Sequence, residues 1–494
     1  MQNRATGLAS SSGGSAVAQA APPAYAPHRK IHPKAVRGRY RRIKTATGTV
    51  LLALFALLPW LRWDRGPDAP GQAVLLDLGN QRFYLFAVEL WPQQIYYVTG
   101  AMILAAVGLF LATALAGRVW CGYSCPQTVW TDLYIWIERL VEGDRGDRIR
   151  LDRHPWTAGW IARKLVKHAG WLLVALATGA IGVFYFTDAP ALVADLLRFQ
   201  APAPAVWSIL FFAACTYAMA GFMREQMCIY VCPWPRIQAA MLDEESLVVT
   251  YQDWRGEGRA PVRKSQGWDE RAADGLGDCI DCGACVQVCP TGIDIRDGIQ
   301  MECISCGLCI DACNDVMARI GRPGDLIRYD TQAAQAAKAT GRPAAPYRWI
   351  RPRTIVYTLL IVVVAGLMGI GLALKPRSDI SVLRDRAPLF VQLADGRIQN
   401  AYTVKIANMT LAGTRYRLTL SGPAGATLGL AGTAGEADRL SLSAHANAVD
   451  SYRVYVRVPP SSLAATSTPL AFHLVPEDGS GDQDVRRDTV FLAP

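Results

Sequence analysis

The sequence predicts a multi-domain membrane protein: an α-helical bundle of five transmembrane helices, a small α+β domain inserted before the last of them, and a C-terminal all-β sandwich. Three observations carry that prediction. Five apolar segments are long enough to cross a bilayer, all thirteen cysteines lie between Cys121 and Cys313, and the pattern after residue 377 switches to alternating apolar and polar positions. Composition agrees, since 51% of the 494 residues are hydrophobic and only 19% charged, against about a quarter charged in soluble domains. So much apolar material excludes disorder for the bulk of the chain. Cysteines confined to one stretch speak for metal chemistry rather than disulfide stapling.

In chain order, residues 1–27 are rich in Ala, Ser, Gly and Pro and read as disordered, part of a basic tail spanning 1–42. The apolar run behind the basic block at 28–44 starts too late for a signal peptide and shows no small-residue cleavage site, so it reads as a retained membrane helix. The expected spans are 43–61, 95–115, 169–186, 206–222 and 354–374, each close to the roughly 17–25 residues that a hydrocarbon core requires. Lys and Arg number nine up to residue 44, nine in 117–168 and sixteen in 223–353, against three in 62–94 and one in 187–205. Positive loops stay in the cytoplasm, so the N-terminus and the long fourth loop belong there and the C-terminus lies outside. The net charge of +10 is therefore a topology signal, not a nucleic-acid one. The domains expected are a four-helix membrane region at 43–235, the inserted domain with its linker at 236–350, the fifth helix at 351–376 and the sandwich at 377–494. Within the last, 402–406, 416–420 and 452–458 alternate between turn-forming clusters, the pattern of antiparallel strands with one buried face. The cysteine pair of antibody domains is missing, so "immunoglobulin-like" describes the architecture alone.

The inserted domain owes its character to eight cysteines. Cys279, Cys282, Cys285 and Cys289 follow a C-x2-C-x2-C-x3-C-P run, and Cys303, Cys306, Cys309 and Cys313 repeat it with Asn314 in place of the proline. This is the spacing of bacterial ferredoxins, where the fourth cysteine of each run ligates the cluster of the other. Two [4Fe–4S] clusters follow, one on Cys279, Cys282, Cys285 and Cys313, the other on Cys303, Cys306, Cys309 and Cys289. Gly283 and Gly307 fit a backbone passing close to each cluster. A zinc site also uses paired cysteines, but tetrahedral coordination has no call for a doubled 2-2-3 spacing.

A second pattern repeats behind the second and fourth spans. Cys121-Gly-Tyr123-Ser-Cys125-Pro126 and Cys228-Ile-Tyr230-Val-Cys232-Pro233 each follow an arginine, Arg118 and Arg224. In a helix each pair would share a face, and the proline would end the helix soon after. Four thiols leave three chemistries open: soft ligands for Cu(I), a third iron–sulfur cluster, or redox dithiols, beside plain packing of two helix ends. Cys215, Met219, Met223 and Met227 stand four residues apart on the way into Cys228, either a soft-metal track or ordinary core packing. Of the six histidines, His28 and His32 read as solvated tail residues, and none falls inside an expected span, which disfavours a bis-histidine haem. No G-x-G-x-x-G or P-loop pattern occurs in 1–44 or 223–353. Asn408-Met409-Thr410 reads as a chance sequon.

WCGYSCPQTVW at 120–130, MCIYVCPWPRIQ at 227–238 and CIDCGACVQVCPTGIDIRDGIQMECISCGLCIDACNDVM at 279–317, in this order between a basic N-terminus and a β-rich tail, resemble the FixG/RdxA/CcoG family of accessory proteins for cbb3-type cytochrome c oxidase. The resemblance extends from about residue 30 to the C-terminus. It implies a multi-pass protein of the bacterial inner membrane with two cytoplasmic [4Fe–4S] clusters and a periplasmic C-terminal domain, reducing Cu(II) to Cu(I) for the oxidase. Copper would then be received by Cys121, Cys125, Cys228 and Cys232, and the partners would be oxidase subunits, copper chaperones or transporters and an electron donor. Rival readings are a quinol-linked electron conduit to a periplasmic reductase and a non-enzymatic assembly scaffold.

Overall fold

The computed structural model describes residues 30–494 apart from 67–68, 264–265, 411, 434, 464 and 478–483. The expectations for residues 1–27 and for His28 lie outside the described residues. From residue 30 onward the basic tail is ordered, contrary to expectation. Its carbonyls are held by arginines, with Arg145 Nη1 donating to His32 O at 2.7 Å and Arg148 Nη2 to Pro33 O at 2.5 Å. His32 is consequently not solvated, and burial lowers its pKa to about 4.

Among the described residues, five helices are long and apolar enough to cross a membrane: Arg39–Trp60, Pro92–Ala116, Ala158–Phe184, Ala203–Val231 and Pro352–Ala373. The first begins earlier than hydropathy suggests because its N-terminus is capped from afar. Asp311 accepts from the backbone N–H groups of Tyr40 and Arg41 at 3.2 and 2.7 Å, supplying the anionic cap a helix start favours. The third begins eleven residues before the expected span, at Ala158, and so includes His168, correcting the expectation that no histidine enters a span. Its Lys164 and Lys167 are tolerated inside the helix because Glu142 pairs with both, at 2.8 and 3.0 Å. His168 is tied to the Tyr217 hydroxyl at 2.9 Å.

The helices alternate between two ends of the bundle. At one end, the start of the first helix meets Asp311, Arg118 beyond the second reaches the carbonyls of Met301 and Cys303, and Arg351 before the fifth pairs with Asp243 at 3.0 Å. The inserted domain sits there. At the other end, Lys375 Nζ donates to Glu89 O at 2.5 Å, and Arg82 Nη1 to Asn447 O at 3.0 Å. These contacts join the sandwich to a three-stranded antiparallel sheet, Val74–Asp77, Arg82–Leu85 and Val88–Leu90, within the expected loop at 62–94.

The inserted domain packs the short helix Ala284–Val288 against Leu308–Arg319 and is closed by an antiparallel pair, Val248–Tyr251 with Ile327–Asp330. Gly283 and Gly307 stand at the helix starts with φ of 62° and 70°. Their requirement is the left-handed backbone, which L side chains resist, rather than room for a cluster alone. Asn314 replaces proline because the second helix continues past Cys313, where a proline would remove a helical hydrogen bond. Its side chain instead accepts from Asp325 N at 2.7 Å.

The C-terminal domain is a β-sandwich. One sheet orders Thr427–Leu430, Ala448–Val458, Ile398–Asn408 and Ser378–Arg384, with Val391–Gln392 also against Ile398–Asn408; the other orders Arg439–Ala444, Thr414–Ser421, Ser467–Pro476 and Val485–Leu492. Alternate side chains of both sheets, among them Tyr402, Val404, Ile406, Tyr416, Leu418, Val454, Val456, Phe472 and Phe491, form its core. Asn408 is buried and donates to the carbonyls of Ala412 and His445, a structural role for that asparagine.

Candidate redox site at one end of the bundle

The thiols of the inserted domain segregate into two groups. A cavity is lined by Cys289, Cys303, Cys306 and Cys309 together with Cys285. Burial raises the Cys309 pKa well above the usual thiol range, and the neighbouring thiols adding to that are first Cys306, Cys303 and Cys289. Cys313 is pushed up to about 12 by burial, and its thiol neighbours are Cys285, Cys279 and Cys282. Each group thus joins three cysteines of one run to the fourth of the other. Burial likewise raises Cys285 to about 11 and Cys306 to about 12. An iron centre bound here would displace the protons of these buried thiols, and five of the cysteines line one cavity. Among the described residues no three His, Cys, Asp or Glu side chains converge on a single-ion site.

The two C-x-Y-x-C-P segments come together. Burial raises the Cys121 pKa to about 12, and besides Arg118 the charged-state neighbours of this thiol are Cys125, Cys228 and Cys232. The local geometry differs from expectation, however. Cys121 lies in the short helix Val119–Tyr123, while Cys125 is extended and precedes the helix Pro126–Glu142. Cys232 is extended too, and the helix Trp234–Met241 follows Pro233. The prolines mark helix starts, where a missing N–H costs nothing, and do not stop the preceding helix. The four thiols are neighbours across the two segments, and within each pair the chain is not one continuous helix that would put both on a single face.

The row of Cys215, Met219, Met223 and Met227 is also interrupted. Wide π-type turns occupy Met219–Met223 and Met227–Val231, and Arg224 between them has φ of 37°. Such turns add a residue per turn, so the four-residue spacing no longer makes one stripe. Gln127, immediately after Pro126, compensates the disrupted ladder by donating to Met219 O at 2.9 Å and Arg224 O at 3.2 Å.

What positions the four-thiol site is its contact with the second cysteine run. A Cβ on Gly122 would lie 2.6 Å from Ile304 O and 3.0 Å from Cys306 Cα, so only glycine lets the two backbones meet. Tyr123 donates its hydroxyl to Cys306 O at 2.9 Å. Arg118, 4% exposed, donates to Cys303 O at 3.0 Å while its Nε has no hydrogen-bond partner. That N–H is a spare buried donor beside thiols. Cys121 Sγ donates to Gln238 Oε1 at 3.0 Å, and the fully buried Gln238 passes the chain on to Thr113 at 3.1 Å. Sequence reasoning missed the roles of Gln127 and Gln238, although both stand inside the repeated segments. It also missed a buried ionic network beside the site, in which Glu138, 1% exposed, binds Arg148 at 3.0 Å and Arg224 at 3.1 Å.

Comparison with known proteins agrees with this architecture. Residues 223–332 match a family model described as a 4Fe-4S dicluster domain, residues 98–143 one described as a 4Fe-4S binding domain, and residues 368–494 one described as an Ig-like fold at the C-terminus of FixG. The chain is 46% identical over 464 residues to protein RdxA of Cereibacter sphaeroides, covering 93% of this chain and 96% of that one. It is 45% identical over 487 residues to the nitrogen fixation protein FixG of Rhizobium meliloti, covering 93% and 92%. Among solved structures, a FixG-related protein from Vibrio parahaemolyticus aligns with 24% of this chain and 95% of that chain at 22% identity and a TM-score of 0.19.

Proposed function

The chain belongs to the FixG family of membrane iron–sulfur electron-transfer proteins, and on that premise we propose that it reduces Cu(II) to Cu(I) at the four-thiol site for assembly of a cbb3-type oxidase. The observation that carries the reading is the direct packing of the Cys121–Cys125 segment on the Ile304–Cys306 loop through Gly122 and Tyr123. Cys279, Cys282, Cys285 and Cys313 would hold one [4Fe–4S] cluster and Cys303, Cys306, Cys309 and Cys289 the other, supplying electrons one at a time. Copper is the substrate. Cys121, Cys125, Cys228 and Cys232 bind it, and as each Cu(II) gains one electron, the soft thiolates favour the Cu(I) product over its oxidised form. Arg118 and Tyr123 fix the distance between that site and the second run by gripping its carbonyls.

The Lys/Arg asymmetry supports an inner-membrane topology with the redox end in the cytoplasm and the sandwich in the periplasm. There the sandwich would meet oxidase subunits, or copper chaperones and transporters.

Cu(I) uptake tests the site. The wild-type chain should take up chelator-competed Cu(I), and the Cys121→Ser/Cys125→Ser and Cys228→Ser/Cys232→Ser variants should each lose all of it, since the pairs form one site. Loss of only half in each would mean two separate sites. Uptake should also strengthen with pH. Cys121 is protonated at neutral pH because burial holds its pKa near 12, so binding must release its proton. Affinity should therefore rise up to about tenfold per pH unit for each thiol displaced between pH 6.5 and 8.5. A pH-independent affinity would remove Cys121 from the ligand set.

The family-model match over 98–143 favours a second reading, in which the four thiols hold a third cluster. Anaerobic iron analysis separates the two, because iron equivalent to three clusters that falls to two in either pair variant supports the second and contradicts the first.

A further inference from the structure

A groove opens between the first membrane helix and the helix Pro126–Glu142, with a cavity of about 290 Å³. Leu52, Val129, Leu133 and Trp136 make its walls, and Trp136 is 54% exposed. Its polar end is formed by Asp132, which pairs with Arg41 at 2.8 Å and with Lys44 at 3.4 Å. Lys44 is only 4% exposed although it belongs to the first membrane helix. The same Lys44 and Asp132 also line a second cavity, whose other walls include Cys228, Pro290, Thr291 and Ile304. One ion pair therefore separates the groove from both the four-thiol site and the loop after Cys289. Tyr123, on the groove wall, is hydrogen bonded to Cys306 O.

We propose that this groove binds the head of a bilayer-borne quinol, which serves as electron donor to the iron–sulfur centre; the proposal rests on the electron-transfer reading above. The chemistry selects a neutral, flat head over a phospholipid one. Both cations already share the Asp132 carboxylate, so an anionic headgroup would have to displace an existing ion pair, whereas a neutral head need only hydrogen bond to it. A quinol can donate one O–H to Asp132 and accept from Lys44 through its other oxygen, with its ring against apolar walls open to lipid. In the reaction the two O–H bonds break and the quinol becomes quinone. Two electrons leave one at a time for two oxidised [4Fe–4S] acceptors, and each of the two protons passes in turn to the Asp132 carboxylate and from there to water at the partly exposed Arg41–Asp132 pair.

The test uses the full chain in nanodiscs, a photoreactive azidobenzoquinone and peptide mapping. Labelling should fall on the peptides spanning 41–52 or 129–136 and be competed by decylubiquinone. Gly48→Phe should weaken it at least about tenfold, the loss expected when a side chain fills the contact volume. A Cβ at Gly48 meets only Val129, at 3.9 Å, so the backbone accepts a larger residue, and an unchanged melting profile would show that the variant folds. Labelling elsewhere, labelling untouched by Gly48→Phe, or competition by anionic phospholipid and not by decylubiquinone would each overturn the proposal. Copper reduction by dithionite-treated wild type bypasses the groove. If it succeeds while quinone labelling fails, the donor site is wrong and the copper reading stands; the opposite pattern condemns the copper reading alone.

Discussion

Cys289→Ser is expected to abolish the iron–sulfur signal that depends on Cys303, Cys306 and Cys309, and to spare the one that depends on Cys279, Cys282 and Cys285. Cys313→Ser should do the reverse. The thiol neighbours of Cys309 and Cys313 divide the eight cysteines across the two runs in this way, matching the exchange of fourth ligands in two-cluster ferredoxins. Iron content should fall by about half in each variant. The residual electron paramagnetic resonance spectrum of reduced Cys289→Ser should coincide with that of Cys306→Ser, and that of Cys313→Ser with that of Cys282→Ser. Spectra that pair Cys289→Ser with Cys282→Ser instead would mean that each run closes on its own cluster.

The second large effect concerns Glu138. Its carboxylate is buried among Arg148, Arg224 and Lys167, and Arg224 lies between the two π turns that lead into Cys228. Burial alone would raise the carboxyl pKa, but Arg224, Arg148 and Lys167 together hold it below the usual range. Glu138→Gln keeps the shape and removes the charge, leaving buried cations uncompensated at a cost of about 3–5 kcal/mol. The sign of the pH dependence follows. A depressed carboxylate contributes stability above the unfolded carboxyl pKa, and that stability is lost as pH falls through the folded value. Thermal unfolding in detergent should therefore show a large destabilisation of Glu138→Gln at pH 7 that shrinks towards low pH. A melting temperature within a degree or so of wild type at pH 7 would contradict the network's role, since about 1 kcal/mol already moves the midpoint by a few degrees.

Much of this architecture was legible because the signals were periodic or exactly spaced by chemistry. The five spans announced themselves by length and hydropathy, the cysteine runs by the ligand spacing that a cluster imposes, and the middle of strand Ile398–Asn408 by the alternation at 402–406, where Tyr402, Val404 and Ile406 are buried. The misses share a different cause, namely long-range partners. Nothing local to Ala158–His168 says that Lys164 and Lys167 will be paired by Glu142 from another helix, so hydropathy cut that span short and left His168 outside it. The start of the first helix depends on Asp311, about 270 residues away. The proximity of Cys121 to Cys228 and Cys232 depends on segments about a hundred residues apart, whereas spacing within each motif offered only a pair. The π turns around Arg224 were invisible for a similar reason, because Gln127, which satisfies the carbonyls they expose, lies in the other repeat.

The central claim is that electrons pass from the two-cluster domain to copper at the four thiols packed against it. The most direct measurement is a single turnover without oxygen. The protein is reduced, freed of reductant and mixed with Cu(II) and a Cu(I)-specific chromophoric chelator, while cluster absorbance and the Cu(I) complex are followed together. The account predicts that the clusters reoxidise as Cu(I) forms, one ion per electron, and that both changes stop in the Cys121/Cys125/Cys228/Cys232→Ser variant whose clusters remain intact. Clusters that stay reduced beside Cu(II) in the wild-type protein, or that reduce it equally well without those four thiols, would contradict it.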